Sequence, residues 1–172
     1  MTLPRLGLGA LLLLAALVVE LSLLTRLPLP GATPDLLLLV VVALGLGLGA
    51  SSGAVAGFLA GLGLDLVPPA DGVLGRWALV LCVVGYLAGL GQEAGERSPV
   101  LPLLLVALLS ALSVGLYAGL GALFEDARFS TSRLLQMLPT AVLYTVALSP
   151  IVVYPVLSLV RRLEPGARRR RR

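Results

Sequence analysis

Histidine, asparagine and lysine are absent from this 172-residue chain, and cysteine occurs once, at Cys82 in an apolar run. One cysteine excludes an intrachain disulfide, and zinc and iron–sulfur centres lose their usual ligands; the sequence implies no metal and no cofactor. The same absences remove the common general bases and activated nucleophiles, so catalysis would have to be built from carboxylates. Charge is also scarce. Only 13% of the residues are charged and 58% are apolar, at a mean hydropathy of +1.03, whereas soluble domains run near about 25% and 45–50%. A soluble enzyme is excluded, and an integral membrane protein is indicated.

All thirteen basic residues are arginine. Seven of them, Arg161, Arg162, Arg168, Arg169, Arg170, Arg171 and Arg172, fall in the last twelve residues beside one acid, Glu164, giving that tail a charge of +6 and leaving −2 for the rest. The pI near 10 therefore belongs to the tail. A run of arginine abutting an apolar span reads as a cytoplasmic topology anchor on anionic lipid rather than as a nucleic-acid surface.

Each crossing consumes about 20 residues, so the apolar material suffices for an all-α, polytopic domain of six transmembrane helices over 1–160, followed by the basic cytoplasmic tail 161–172. The first span is expected over Leu6 to Leu24. A cleaved leader is disfavoured because the apolar stretch resumes after Glu20 and no small-x-small site follows closely. Thr25 to Thr33, with Pro28 and Pro30, breaks the chain. The region Leu36 to Val67 is too long for one crossing and is cut at Gly49-Ala50-Ser51-Ser52-Gly53. Two short helices are expected there, Pro34 to Gly49 and Gly53 to Val67, either crossing or forming a re-entrant pair. Pro68-Pro69-Ala70-Asp71-Gly72 is a turn, Leu74 to Leu90 a fourth helix, and Gly91 to Pro99 a polar loop. The fifth helix spans Leu101 to Phe124, Glu125 to Arg133 is a charged loop, and the sixth spans Leu134 to Val160, with Pro139, Pro150 and Pro155 predicting kinks or a late start. Arg5 before the first helix and Arg161-Arg162 after the last place both termini in the cytoplasm, which requires an even number of crossings.

Glycine recurs every fourth residue at 45, 49, 53, 57 and 61, and again at 85/89 and 115/119. That spacing puts side-chain-free positions on one helix face, where another backbone can approach closely, so Gly53, Gly57, Gly61, Gly85 and Gly89 are candidate packing or partner-binding positions. The candidate polar contacts are Glu20, Asp35, Asp65 and Arg76. Asp35 follows Pro34 at a helix start and suits a cap. Asp65 either hydrates or caps near the Pro-Pro turn or pairs with a cation, for which Arg76 on the same side is the nearest choice. Glu20, four residues from the end of its helix, either reaches the outer headgroup region or pairs with Arg76 on the same side, while Trp77 is expected to anchor at the interface and Tyr86 to pack between helices.

A catalytic reading fails on geometry. Asp65 and Asp71 flank a Pro-Pro turn instead of converging on a water, and Gly61-Leu62-Gly63-Leu64-Asp65 is one residue out from the Gly-x-Gly-Asp of intramembrane aspartyl proteases. Signal peptidase II pairs its two Asp with Asn, which this chain lacks. No catalytic residue is assigned, and the chain is not read as an enzyme.

The middle of the sequence carries a more specific pattern. Pro34-Asp35-Leu36-Leu37-Leu38-Leu39, Gly53-x-x-x-Gly57-Phe58-x-x-Gly61-Leu62-x-x-Asp65-Leu66, Leu74-Gly75 and Gly85-Tyr86-Leu87-Ala88-Gly89 resemble, in order and spacing, the bacterial rod shape-determining protein MreD family. The likeness covers Pro34 to Gly89. It departs at Leu44 to Gly49, where family members often carry an aromatic and a basic residue, and from Gly91 onward only hydropathy and the basic tail match. The resemblance implies a non-catalytic, multi-pass inner-membrane subunit of the cell-wall elongation machinery. It would act beside the single-span protein MreC, with RodA, a class B penicillin-binding protein and MreB in the same assembly. The family's helical arrangement is similar to the substrate-binding subunits of energy-coupling-factor vitamin transporters, so a vitamin-binding transport subunit is the alternative. The docking spacing Ala-x-x-x-Ala of those subunits is not met by Ala10, Ala15 and Ala16.

Overall fold

The segment Leu36–Leu48 has no polar face, and a helix that is apolar all round belongs inside a bundle. In the computed structural model, which describes residues 3–22, 33–67, 74–98, 100–123 and 131–162, that segment is the central helix, with every residue from Leu37 to Gly47 buried. The described residues form seven helices: α1 (Leu3–Ser22), α2 (Leu36–Leu48), α3 (Ala50–Leu66), α4 (Arg76–Leu90), α5 (Gln92–Arg97), α6 (Leu101–Leu123) and α7 (Thr131–Arg162). All the other helices pack on α2, and the most extensive interface joins α3 to α4. In lipid, burying α2 gains little from the hydrophobic effect, because acyl chains are as apolar as its leucines; close van der Waals packing holds it instead.

Several boundaries differ from the sequence reading. The turn between α2 and α3 is Gly49 alone, at φ 89°; glycine takes that conformation without the Cβ penalty, so Ser51 and Ser52 enter the first turn of α3. The polar stretch after Gly91 contains the short helix α5 instead of an open loop. Tyr86 is not packed between helices: it is 47% exposed on the outside of α4. Cys82 is half-buried. The turns at residues 23–32 and 68–73, most of the charged loop before α7, and the tail arginines Arg168 to Arg172 lie outside the described residues, as does the side chain of Arg5.

Helix α7 starts three residues before and ends two residues after the expected Leu134 to Val160, running 32 residues through Pro139, Pro150 and Pro155. A proline frees the carbonyl four residues earlier, which for Pro150 is that of Val146. Ser149 supplies the missing donor, its hydroxyl reaching the Val146 carbonyl at 2.7 Å. Hence Ser149→Ala should cost about 1 kcal/mol of stability in detergent by orphaning a part-buried acceptor. The cost should largely vanish in a Pro150→Ala background, where the backbone N–H returns. Equal losses in both backgrounds would show that the hydroxyl does not replace it.

Among the described residues, only α6 and the Pro139–Arg162 part of α7 are long and apolar enough to cross a bilayer by length. Helices α2, α3 and α4, at 13, 17 and 15 residues, reach about 20, 26 and 23 Å at 1.5 Å per residue.

Candidate functional site

A helix start leaves its first amide N–H groups without partners, and in a membrane water cannot take them. Helices α2 and α4 both begin at the end of the bundle away from Leu3 and Arg162, here called the distal end, and carboxylates meet both starts. Asp35 caps α2, its Oδ1 accepting from Leu38 N at 2.7 Å. Glu20, from the last turns of α1, accepts from Leu37 N at 2.8 Å. Thr145, in the apolar stretch of α7, accepts from Asp35 N at 3.2 Å. Three helices are thus tied at one point.

Asp65 does the same for α4. Its Oδ2 accepts from Gly75 N at 3.0 Å and Ala78 N at 3.1 Å, and its Oδ1 from Trp77 N at 3.3 Å. Gly75, at φ 94°, turns the chain so that these amides converge. Asp65 thus binds backbone amides, and the guanidinium of Arg76 reaches α6. There its Nε and Nη2 donate to the Tyr117 carbonyl, Nε at 3.1 Å, and the group lies 3.7 Å from the centroid of the Tyr117 ring. Trp77 stacks on the same ring at 4.4 Å. Arg76 is only 4% exposed, and a cation over an aromatic face in such a desolvated place contributes up to about 2 kcal/mol. Sequence reasoning does not single out Thr145 or Tyr117. Their signal is a lone hydroxyl or aromatic polar group inside an otherwise apolar run, which by itself names no partner.

The glycines divide into two groups. A Cβ on Gly53 would collide with the Gly85 carbonyl, on Gly57 with Leu81, on Gly61 with Trp77, on Gly85 with Gly53 and on Gly89 with Ala50. These five candidates form the α3–α4 seam within the chain. Gly45 joins it, since a Cβ there would lie 2.7 Å from the Gly85 carbonyl oxygen. Gly115 and Gly119 differ: among the described residues, nothing lies within 4 Å of a Cβ at either position. They share an exposed α6 face with Leu104 and Leu108. Arg161 and Arg162 are exposed at the end of α7.

A groove of about 240 Å³ between α1, α2 and α3 is lined by Ala10, Leu13, Leu14, Leu17, Leu37, Leu59, Ala60 and Gly63. This apolar lining suits an acyl chain and provides no side-chain hydrogen-bonding group for a vitamin, so the transport alternative gains no support from it.

The sequence model of the family described as rod shape-determining protein MreD matches residues 3–163, extending well beyond the Pro34 to Gly89 pattern into the C-terminal half. No curated protein and no solved structure matches the chain.

Proposed function

The chain belongs to the rod shape-determining protein MreD family, and from that premise we propose that it is a non-catalytic scaffold that holds a partner's membrane anchor during lateral wall growth. Its role in rod shape determination follows from the family; the partner, the surface and the topology are our reading. The partner we assign is the single span of MreC, with RodA, a class B penicillin-binding protein and MreB joining the same peptidoglycan-synthesising assembly. In this reading the six apolar helices α1, α2, α3, α4, α6 and α7 cross the inner membrane, both termini are cytoplasmic, the distal end faces outward, and Arg161, Arg162 and the tail arginines lie on anionic lipid.

The observation that carries the reading is the contrast between glycine pairs. Gly45, Gly53, Gly57, Gly61, Gly85 and Gly89 already meet backbone of the same chain, whereas a Cβ on Gly115 or Gly119 of α6 would meet no described residue. Small residues four apart let a second helix approach closely enough to gain the packing that lipid cannot supply. The test is co-purification of a tagged MreC reduced to its transmembrane helix. That fragment should bind the wild type, and the double substitution Gly115→Leu, Gly119→Leu should weaken recovery at least about tenfold, equivalent to about 1.4 kcal/mol. Undiminished recovery by the double variant would remove α6 as the docking face. Binding carried only by the outer domain of MreC would overturn the scaffold mechanism.

A further inference from the structure

The lipid-facing flanks of this bundle have unequal heights. Their register is fixed by contacts between helices. At the distal end, Asp35 just before α2 is level with Thr145 of α7, and Arg76 and Trp77 at the start of α4 are level with Tyr117 of α6. At the opposite end, Gly47 of α2 meets Val160 of α7, so the helices finish there nearly together. Beyond Tyr117, α6 continues to Leu123, and above Thr145 the apolar part of α7 continues to Pro139. Each overhang is six residues, about 9 Å at 1.5 Å per residue. Both overhangs are apolar, with Leu123 78% and Leu143 66% exposed.

On the other flank, α3 and α4 present Val55, Phe58, Leu66, Leu79 and Leu90 outward over helices of 17 and 15 residues. Even upright these cover about 23–26 Å, against about 30 Å for the hydrocarbon core. Tyr86, 47% exposed about one turn before the end of α4, stands where belt side chains meet headgroups. Among the described residues α3 and α4 extend no further. The Gly53/Gly57/Gly61 seam locks them together, Gly49 ends one side, and Asp65 closes the other. A tilt of the whole body cannot fit both flanks at once, because both overhangs belong to the α6–α7 pair.

We propose that the bilayer is thinned at the distal leaflet along the α3–α4 flank and left at full thickness along α6–α7, so that the α3–α4 flank selects phospholipid with short acyl chains. This rests on the membrane-spanning reading of the helices, and mismatch of this kind is answered by local thinning of the bilayer.

The experiment is fluorescence quenching in reconstituted phosphatidylcholine vesicles, with brominated lipid competing against unbrominated lipids of graded chain length. Trp77, the only tryptophan, faces α6 through its stack on Tyr117 and is therefore replaced. In a Trp77→Phe background, Leu79→Trp places a probe on the α4 flank and Leu143→Trp places one on the α7 overhang. The α4 probe should bind short-chain lipid several-fold more tightly than the longest chains, and the α7 probe should have its optimum at distinctly longer chains. A common optimum at both positions overturns this inference alone. Absence of quenching at every position overturns it together with the spanning reading.

Discussion

Gly57→Leu should be the most damaging single substitution in the chain, lowering the unfolding free energy in detergent by about 3 kcal/mol or more and leaving little folded protein in the membrane. Overpacking a well-filled core usually costs about 1–3 kcal/mol because neighbouring side chains can turn aside. Here the obstacle is main chain. The first added carbon would meet the Leu81 carbonyl and the Cys82 amide of α4, so relief requires the two helices to separate. Separation at Gly57 also opens the contacts at Gly53 and Gly61 one turn to either side, since one rigid helix carries all three. Even Gly57→Ala should be strongly destabilising. Gly115→Ala and Gly119→Ala, where a Cβ meets no described residue, should leave thermal unfolding of the isolated protein unchanged. If Gly57→Ala and Gly115→Ala unfold at the same temperature, the seam does not hold the fold.

The four-residue glycine spacing is visible in the sequence because helical geometry converts it directly into a common face. Its partner is not. Gly53/Gly57/Gly61 and Gly115/Gly119 have the same local pattern, and only the tertiary arrangement places α4 against the first and no described residue against the second. The helix starts divide in the same way. Pro34-Asp35 announces a cap, because proline cannot donate and aspartate accepts at short range. Asp65 gives no such signal, since the amides it accepts from lie ten to thirteen residues ahead. The extent of α7 is legible to within three residues from its apolar run, but how the helix passes Pro150 is not, because proline rules describe the backbone alone and the Ser149 hydroxyl changes their consequence there. Helix lengths, finally, depend on where short polar segments stop being loops, and α5 shows that six residues after Gly91 suffice for another helix.

Asp65→Asn should cost about 1–3 kcal/mol, whereas Asp35→Asn should stay within about 0.5 kcal/mol of wild type. The difference lies in the number of acceptors each site uses. Asp35 takes one amide through Oδ1; asparagine keeps that oxygen and is as good a cap as aspartate. Asp65 takes three amides with both oxygens. Asparagine has one oxygen, so in either orientation its NH₂ faces at least one backbone N–H, two donors meeting at a place where no competing acceptor is supplied. The negative charge at the positive end of α4 is lost as well, about 0.3–1 kcal/mol more. The damage should be local before it is global. Once the first turn of α4 loosens, Arg76 and Trp77 leave the Tyr117 ring on which they stack. Two measurements read that sequence of events: amide exchange should accelerate at Trp77 and Ala78 ahead of the rest of α4, and Trp77 emission should shift as its stacking partner is lost. Asp65→Leu, which offers no acceptor, should show both changes in stronger form. Wild-type exchange and emission in Asp65→Asn would mean that the three amides find other acceptors, and the carboxylate would then have no structural part in starting α4.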